Sequence, residues 1–289
     1  MASVTDWLEG ARLRTLPAAV APVALGTASA WALGAASLPR ALLAAGVALA
    51  LQVGVNFAND YSDGVRGTDA VRSGPPRLTG GGLVAPRTVR RAAFASFGIA
   101  AVLGLVLVAL SGAWWLVAAG GAAVVAAWYY TGGRRPYGYM GLGEVFVFTF
   151  FGLMATLGTT WTQAAAVDAA TWLGAAGVGL IACALLMVNN IRDIPTDALV
   201  GKHTLAVRLG DRRARWTYTA MVAVPLLLGL GATSRYPWAW LVVGLVPAAV
   251  ALARPVLAGR SGRALIPVLR NTGFYEIAYA LVLGAGLVL

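Results

Sequence analysis

Long apolar runs separated by polar segments make up most of this chain. Nine of the runs approach the length of about 20 residues that a helix needs to cross the roughly 30 Å of hydrocarbon in a bilayer. They lie at residues 16–36, 41–59, 92–110, 113–131, 142–161, 171–190, 218–233, 238–253 and 264–289. The pattern predicts an all-α integral membrane protein with nine transmembrane helices, in which residues 1–289 form a single domain.

The first run has one alternative interpretation as a secretory signal peptide. Residues 28–30 read Ala-Ser-Ala, which has the small side chains of a cleavage site. Against this, Asp6 and Glu9 interrupt the basic leader that a signal peptide needs, and the run is long. A membrane-spanning helix is therefore the favoured interpretation.

Composition supports a membrane protein and excludes several classes of site. The 289 residues are 59% hydrophobic and only 11% charged, whereas soluble domains average about 25% charged residues. Cys183 and His203 are the only Cys and His in the sequence. One residue of each kind excludes an internal disulfide and a metal centre built from several Cys or His ligands.

The distribution of basic residues predicts the orientation of the chain. Of the 22 Lys and Arg residues, all but Arg40 and Arg235 fall in the N-terminal segment or in alternate loops on one side of the membrane. The positive-inside rule places these loops and the N-terminus in the cytoplasm and the C-terminus outside. The net charge of +11 thus reflects topology, and no nucleic-acid partner is predicted for this multi-pass protein of the cell membrane.

A polar cluster follows the second apolar run directly. Asn56, Asn59, Asp60 and Asp63 appear where a membrane helix should be ending, and carboxylates in such segments mark functional sites by default. On a continuing helix Asp60 and Asp63 would share a face, with Asn56 one turn earlier. The alternative is a solvated helix end capped by Asn and Asp.

A matching cluster follows the sixth apolar run, about 130 residues later. Superposing Asn59 on Asn189 places Asp63 on Asp193, and Asp197 follows four residues on. Two helices that end in matched Asn and Asp clusters suggest two halves of one site related by a weak internal repeat. Such oxygen-rich clusters need a cation between the carboxylates, and their ligand type suits Mg²⁺.

The loops beside these clusters supply cations. Lys202 and Arg208 follow Asp197 closely, and metal-binding carboxylates beside Lys and Arg suit a diphosphate. No Gly-x-x-x-x-Gly-Lys-Ser/Thr motif occurs, which excludes a P-loop enzyme. Glu144 opens a helix after a loop rich in Tyr and Arg; its carboxylate either complements the helix dipole or lines the site.

Two function classes remain open on these residues. A cation-coupled transporter would place ionisable residues near the midplane of several helices. Here the acidic residues gather at one membrane face, which favours an enzyme acting on a diphosphate.

These motifs resemble those of the UbiA-type intramembrane aromatic prenyltransferases, particularly the branch that prenylates 1,4-dihydroxy-2-naphthoate in menaquinone biosynthesis. The first family motif is matched by Asn59, Asp60, Asp63 and the later Asp69, and the second by Asp193 and Asp197. Segments 12–17, 138–144, 189–193 and 201–210 are also similar to the naphthoate branch. One departure is Leu13, where such sequences often have Pro.

The resemblance implies nine helices around a central cavity open to the membrane, with Mg²⁺ and polyprenyl diphosphate at its cytoplasmic end. It implies transfer of the polyprenyl group to 1,4-dihydroxy-2-naphthoate with loss of CO₂; 4-hydroxybenzoate, homogentisate and a chlorin are the alternative acceptors. The expected metal ligands are Asp60, Asp63, Asp69, Asp193 and Asp197. The expected catalytic residues are Asp60, Asp63, Asp193, Asp197 and Lys202. The expected substrate-binding residues are Asn56, Asn59, Asn189, Arg14, Arg66, Arg134, Arg208, Tyr139 and Glu144.

Overall fold

A computed structural model describes residues 2–67 and 77–289, and these residues form helices joined by turns, without strands. The α-helices are α1 (Val4–Ala11), α2 (Pro17–Ala32), α3 (Leu38–Arg66), α4 (Pro86–Ser111), α5 (Leu116–Tyr129), α6 (Gly143–Val147), α7 (Ala155–Ala164), α8 (Ala169–Leu199), α9 (Leu205–Gly231), α10 (Val246–Leu257) and α11 (Ile266–Val288). Short 3₁₀ segments occupy Leu13–Thr15, Tyr137–Met140, Ala232–Ser234, Pro237–Leu245 and Gly262–Leu265. The predicted all-α class is confirmed for these residues.

Six helical segments of the described residues are long and apolar enough to cross a membrane. They are Leu38–Arg66, Pro86–Ser111, Gly143–Ala164, Ala169–Leu199, Leu205–Ser234 and Pro237–Leu257. Helix α2 has 16 residues and α5 has 14, which is short for a full span. Helix α11 carries Arg270 and Glu276, which lower its mean hydropathy. The predicted count of nine spans is therefore not confirmed by length and composition.

Helices α3 and α8 extend well beyond the C-terminal ends of the apolar runs that predicted them, and α9 begins at Leu205, well before its run. Helix α3 was expected over residues 41–59 but continues to Arg66, where Gly67 adopts a left-handed conformation with φ of 75°. Helix α8 was expected over residues 171–190 but continues to Leu199. Both polar clusters are thus held on helical backbone rather than on loops.

The segment from Gly143 to Ala164 is one helix with a π-helical turn in its middle, over Phe148–Met154. Gly152 in this turn packs directly on Gly179 of α8: a Cβ at Gly152 would lie 2.5 Å from the Gly179 Cα. Glycine is required at this contact because any side chain would separate the two helices. π-turns occur frequently at functional sites, and this one faces the interior of the bundle.

The largest apolar core joins helices α8, α9, α10 and α11. Tyr218, Tyr279, Ile181 and Met187 are fully buried there. A second core joins α1, α3 and α4 through Phe57, Phe97 and Leu78, among other residues. These two cores hold α3 and α8 firmly, and the polar clusters on those two helices face each other across the space between them.

Candidate active site

A cavity of about 660 Å³ occupies the space enclosed by helices α2 to α8. Its polar end is lined by the C-terminal ends of α3 and α8, and the remainder is largely apolar. The polar side chains that line it are Glu9, Arg12, Thr15, Gln52, Asn56, Asn59, Asp63, Arg77, Tyr130, Thr131, Tyr137, Thr159, Thr162, Asn189, Asn190, Arg192, Asp193, Thr196, Asp197 and Lys202. The structure therefore brings most of the residues of both predicted clusters to one cavity.

Three carboxylates from the two predicted clusters line the polar end, and each has a positively charged or hydroxyl group beside it. The Tyr139 hydroxyl donates to Asp63 Oδ1 at 2.7 Å. Arg192 donates to both oxygens of Asp193, at 2.7 and 2.6 Å. Lys202 Nζ lies 3.6 Å from Asp197 Oδ1. A phenol therefore lies beside Asp63, and a cation lies beside each of Asp193 and Asp197.

Tyr139 connects the loop before α6 to the acidic residues. Two cations lie over its ring. The guanidinium carbon of Arg66 is 5.3 Å from the ring centroid, and Lys202 Nζ is 5.4 Å from it. Arg66 in turn donates to the carbonyl of Thr131 at 2.6 Å and to the carbonyl of Gly133. Tyr139 and Arg66 do not themselves line the cavity, and their contacts fix the position of Asp63 and Lys202.

A layer of carboxamides lies beneath the carboxylates. It consists of Gln52, Asn56, Asn59, Asn189 and Asn190, all of which line the cavity. With a rise of about 1.5 Å per residue, Asn56 lies roughly 10 Å and Gln52 roughly 16 Å along α3 from Asp63. This layer offers neutral donors and acceptors between the charged end and the apolar remainder.

The carboxamides on α3 are oriented by defined hydrogen bonds. Asn56 donates from Nδ2 to the Ala11 carbonyl at 2.8 Å and to Thr15 Oγ1 at 3.0 Å. Gln52 donates to the same Thr15 oxygen at 2.7 Å. Asn59 Oδ1 accepts from Thr131 Oγ1 at 2.8 Å. On the other helix, Asn189 Oδ1 accepts from Arg192 at 2.9 Å.

Asp60 points away from the cavity, although Asp60 and Asp63 were expected to share a face. It is fully buried, and its two oxygens accept the backbone N–H groups of Leu78 at 2.9 Å and Thr79 at 2.7 Å. The chain after Arg77 therefore folds back onto α3 through this carboxylate. Both oxygens of Asp60 therefore accept hydrogen bonds from the turn at residues 77–80. Asp63 is the acid of α3 that faces the cavity.

Glu144, Arg208 and Arg134 also lie outside the cavity lining. Glu144 is buried at the start of α6, where its Oε1 accepts from Asn190 Nδ2 at 3.3 Å. Arg208 donates to the His203 carbonyl at 3.3 Å, and Arg134 is exposed on the loop before α6. Arg14 lies in the 3₁₀ segment Leu13–Thr15. Asp69 lies outside the described residues.

The cavity also contains cations that sequence reasoning missed, namely Arg12, Arg77 and Arg192. Arg192 directly precedes Asp193, so its position within the motif was a usable signal. Arg77 follows a stretch of Gly and Pro that gave no indication of where it would lie. Arg12 lies in segment 12–17, which resembles the naphthoate branch. The sequence does not predict its left-handed backbone conformation at the end of α1, where Arg12 lines the cavity.

The remainder of the cavity has an aromatic and aliphatic wall. Phe146, Phe150 and Met154 come from the segment that contains the π-turn, and small Ala and Gly residues of α4 and α5 lie opposite. Tyr137 stacks on Phe146 with ring centroids 3.8 Å apart, and Phe146 stacks on Phe150 at 6.2 Å. The Tyr137 hydroxyl donates to the Ala126 carbonyl at 2.8 Å, and burial raises the pKa of this phenol above its ordinary value.

The ligand type at the polar end suits Mg²⁺, because carboxylate and carboxamide oxygens are its preferred protein ligands. Among the described residues, no three His, Cys, Asp or Glu side chains converge as a metal cage. Mg²⁺ is usually held by one or two carboxylates together with substrate phosphates rather than by such a cage. Asp63, Asp193 and Asp197 therefore fit a magnesium site that a diphosphate completes.

This arrangement suits an amphiphilic substrate with an anionic head and a long apolar tail. Charged groups at one end bind the anion, carboxamides bind a second polar molecule, and the apolar wall excludes water from the space between them. The ionisable residues of the lining gather at one end, as the sequence predicted for an enzyme rather than a transporter.

Comparison with known proteins gives a consistent result. Residues 19–266 match the model of the UbiA prenyltransferase family. A 1,4-dihydroxy-2-naphthoate octaprenyltransferase of Mycobacterium tuberculosis is 52% identical over 99% of this chain and 98% of its own length. The enzyme of the same name from Escherichia coli is 38% identical over 92% of this chain and 89% of its own length.

Solved structures share the fold at low sequence identity. A UbiA homolog from Archaeoglobus fulgidus bound to GPP and Mg²⁺ has a TM-score of 0.70 and 15% identity, covering 98% of this chain and 99% of its own. A UbiA homolog from Aeropyrum pernix without ligands also has a TM-score of 0.70, with 16% identity over 93% and 96% of the two chains. The resemblance read from the sequence motifs is thereby confirmed.

Proposed function

The chain belongs to the UbiA prenyltransferase family, and we propose that it transfers a polyprenyl group from polyprenyl diphosphate to 1,4-dihydroxy-2-naphthoate. The products are CO₂, diphosphate and a demethylmenaquinol, an intermediate of menaquinone biosynthesis. The observation that carries the proposal is a single cavity that joins acidic and basic groups, a carboxamide layer and an apolar wall. Identity to naphthoate prenyltransferases over nearly the whole chain supports the choice of acceptor.

In the overall reaction the prenyl group replaces the carboxylate on the aromatic ring. The C–O bond between the allylic carbon and diphosphate breaks, and its electron pair leaves with the diphosphate. The ring carbon that bears the carboxylate then bonds to the allylic carbon. Loss of that carboxylate as CO₂ returns an electron pair to the ring, so no external oxidant or reductant is needed.

The residues at the polar end bind and neutralise the diphosphate. Asp63, Asp193 and Asp197 would hold Mg²⁺, which neutralises negative charge on the leaving group when it is bound there. Lys202 approaches the same space as a point charge. Positive charge fixed beside the diphosphate stabilises the leaving group as the C–O bond breaks.

The rest of the cavity protects and orients the reacting carbons. The apolar wall of Phe146, Phe150 and neighbouring residues excludes water, which would otherwise capture the allylic cation. The carboxamides Gln52, Asn56 and Asn59 are fixed by hydrogen bonds at the depth where an aromatic acceptor would lie beneath the diphosphate. The tail is itself lipid-like, so its natural continuation is into the bilayer.

A panel of aromatic acceptors tests the proposed function. Purified protein is assayed in liposomes with polyprenyl diphosphate and Mg²⁺, and we expect 1,4-dihydroxy-2-naphthoate to be prenylated faster than 4-hydroxybenzoate, homogentisate or a chlorin. A faster reaction with another acceptor would preserve prenyl transfer but replace the naphthoate. No prenylation of any acceptor, with cation uptake into the liposomes, would favour a transporter instead.

Substitution of Lys202 tests its role at the diphosphate. We expect Lys202→Ala to raise KM for polyprenyl diphosphate by about tenfold or more, because a charge-assisted contact to the substrate is lost. Lys202→Arg keeps the charge and should lose less activity. Unchanged kinetics in the alanine variant would contradict this role.

We further propose nine membrane spans, with the N-terminus and the polar end of the cavity cytoplasmic and the C-terminus outside. The loop charges support this orientation. Ser261 and Ser234 are exposed on opposite predicted sides, and the natural Cys183 is buried and gives little background. An impermeant thiol reagent added to intact cells should label Ser234→Cys but not Ser261→Cys; the reverse result would invert the topology. Ser73, also predicted to be cytoplasmic, lies outside the described residues.

A further inference from the structure

A second hollow lies on the surface of the bundle, apart from the large cavity, at the C-terminal end of α10. It has a volume of about 360 Å³ and is lined by Ala251, Arg254, Pro255, Ala258 and Arg260. The first four of these residues are spaced i, i+3, i+4 and i+7, so they share one face of the helix. We call this hollow the basic groove, because two arginines supply its charge and small side chains leave it open.

The turn after α10 holds Arg260 beside the groove. Gly259 has φ of 79° and donates its N–H to the Val256 carbonyl at 3.1 Å. The N–H of Arg260 donates to the Pro255 carbonyl, also at 3.1 Å. This pair of hydrogen bonds forms the Schellman motif, which ends many helices and favours glycine at its left-handed position. It folds the backbone of Arg260 back onto the last turn of α10.

A buried arginine of α9 fixes the same turn from the other side. Arg215 is 6% exposed, and its Nη1 donates to the carbonyls of Val256 at 2.7 Å and Arg260 at 2.8 Å. Its Nε and Nη2 donate to the two oxygens of Asp211, each at 2.7 Å. The buried charge is therefore paired, and the backbone of the basic groove is held by two helices.

The two arginines of the groove carry charge without a counter-ion. Both are exposed, and within the described part of the chain neither guanidinium forms a hydrogen bond or an ion pair. The helix dipole favours cations near a helix C-terminus, which explains their charge. It leaves their N–H donors available to an anion, and each guanidinium has five.

The basic groove lies at the depth of the lipid headgroups. The segment Pro237–Leu257 is long and apolar enough to cross a membrane, and the two arginines flank its C-terminal end. Trp216 follows Arg215 in the chain and is 59% exposed, and Trp is enriched at the interface between membrane and water. The anions that surround a protein at this depth are phospholipid phosphates, and basic pockets beside membrane helices bind such headgroups.

We propose that the basic groove binds an anionic phospholipid, with its phosphate between Arg254 and Arg260. One acyl chain then follows the face of α10 that Ala251, Pro255 and Ala258 form. Guanidinium groups bind phosphate through parallel hydrogen bonds. A zwitterionic lipid has the same phosphate, but its ammonium group opposes the two cations. The site involves neither substrate of prenyl transfer, so it stands independently of the proposed function.

Lipid titration of the full-length protein in detergent tests the site. Phosphatidylglycerol or phosphatidylcholine is added, and bound lipid is counted by native mass spectrometry. We expect tighter binding of phosphatidylglycerol to the wild type. Arg254→Gln and Arg260→Gln should each weaken that binding by about fivefold, and the double variant by roughly 20-fold, because each cation near the membrane surface attracts anionic lipid. Lysine at both positions keeps the charge and should lose less.

A second pair of cations provides the matched control. Arg87 and Arg91 are exposed near the start of α4 and lie outside the basic groove. The double variant Arg87→Gln, Arg91→Gln loses the same charge and should bind phosphatidylglycerol as the wild type does. Thermal unfolding in phosphatidylcholine micelles should be the same for all variants. In addition, phosphatidylglycerol with a photoreactive acyl chain should label residues 251–258 of the wild type in liposomes.

The contrary results are equally defined. Equal binding of the two lipids by the wild type, or an unchanged preference in the Arg254→Gln, Arg260→Gln variant, would refute the site. An equal loss in the control variant would show that the charge of the whole face attracts lipid, and would overturn a specific groove. Displacement of the lipid by millimolar inorganic phosphate would indicate a site for soluble phosphate instead. Photolabelling confined to other residues would refute the proposal even if a variant proved unstable.

Discussion

Asp193→Asn and Asp63→Asn are each expected to lower the rate of prenyl transfer by roughly a thousandfold or more. Each substitution removes one carboxylate from the polar end of the cavity while keeping the size of the side chain. Negative charge grows on the diphosphate as the C–O bond breaks. In the variant, less of this charge is neutralised. Removal of a single electrostatic contact of this kind costs about 10² to 10³ in rate, and loss of bound metal adds to that cost.

The same reasoning predicts dependence on a divalent cation. Asp63, Asp193 and Asp197 line one end of the cavity together, and their charges oppose a bound diphosphate unless a cation lies between them. Excess chelator should abolish turnover, and added Mg²⁺ should restore it. Full activity of the wild type in excess chelator would refute the magnesium site.

Asp168, at the N-terminal end of α8, provides a matched control for Asp193→Asn near the other end of that helix. Asp168 caps α8 by accepting the Thr171 N–H at 2.8 Å, and Asn is about as good an N-cap as Asp. Asp168→Asn keeps this cap and should therefore keep turnover within a few-fold of the wild type. If it lowered the rate as much as Asp193→Asn, the loss would reflect damage to α8 rather than a role at the diphosphate.

The sequence predicted the main features of the cavity because they depend on helix periodicity. Asn59 and Asp63 on α3, and Asn189, Asp193 and Asp197 on α8, follow apolar runs that fix both helices in the bundle. Because the helices continue beyond these runs, the side chains are carried on rigid backbone to one cavity. The repeat between the two clusters was visible without any three-dimensional information.

Other features depended on tertiary contacts that periodicity does not encode. Asp60 and Asp63 are close on the helix surface, yet Asp60 turns to the backbone N–H groups of Leu78 and Thr79. Those partners are 18 and 19 residues away in sequence. The left-handed conformation of Arg12 and the π-turn near Gly152 are likewise set by packing against other segments. Local sequence gives no signal for either.

The count of membrane spans shows a different limit. Apolar runs predict where helices lie, but α2 and α5 are shorter than a full bilayer crossing requires. Glu276 within α11 lowers the hydropathy of this helix, although neighbouring helices bury its side chain fully. Hydropathy measures transfer of single helices into lipid, whereas a packed bundle protects polar groups and short helices from lipid.

Stoichiometric release of the acceptor's carboxyl carbon is the second large effect we expect. When the prenyl group is added at the carbon that bears the carboxylate, the ring can regain aromaticity only if the carboxylate leaves as CO₂. With 1,4-dihydroxy-2-naphthoate labelled at the carboxyl carbon and a long polyprenyl diphosphate, about one labelled CO₂ should form per prenylated quinol. The apolar wall favours this loss, because a carboxylate that leaves as neutral CO₂ no longer needs solvation.

The control for this experiment is 4-hydroxybenzoate labelled in the same way. Any prenylation of this acceptor at an unsubstituted ring carbon would keep the carboxylate, so its label should stay in the product. Omitting polyprenyl diphosphate from the naphthoate reaction measures spontaneous decarboxylation, which should be slow in comparison. A prenylated naphthoate that retains its label would show that the new bond forms at another ring carbon. That result would leave prenyl transfer intact and refute the assignment of the product as a demethylmenaquinol.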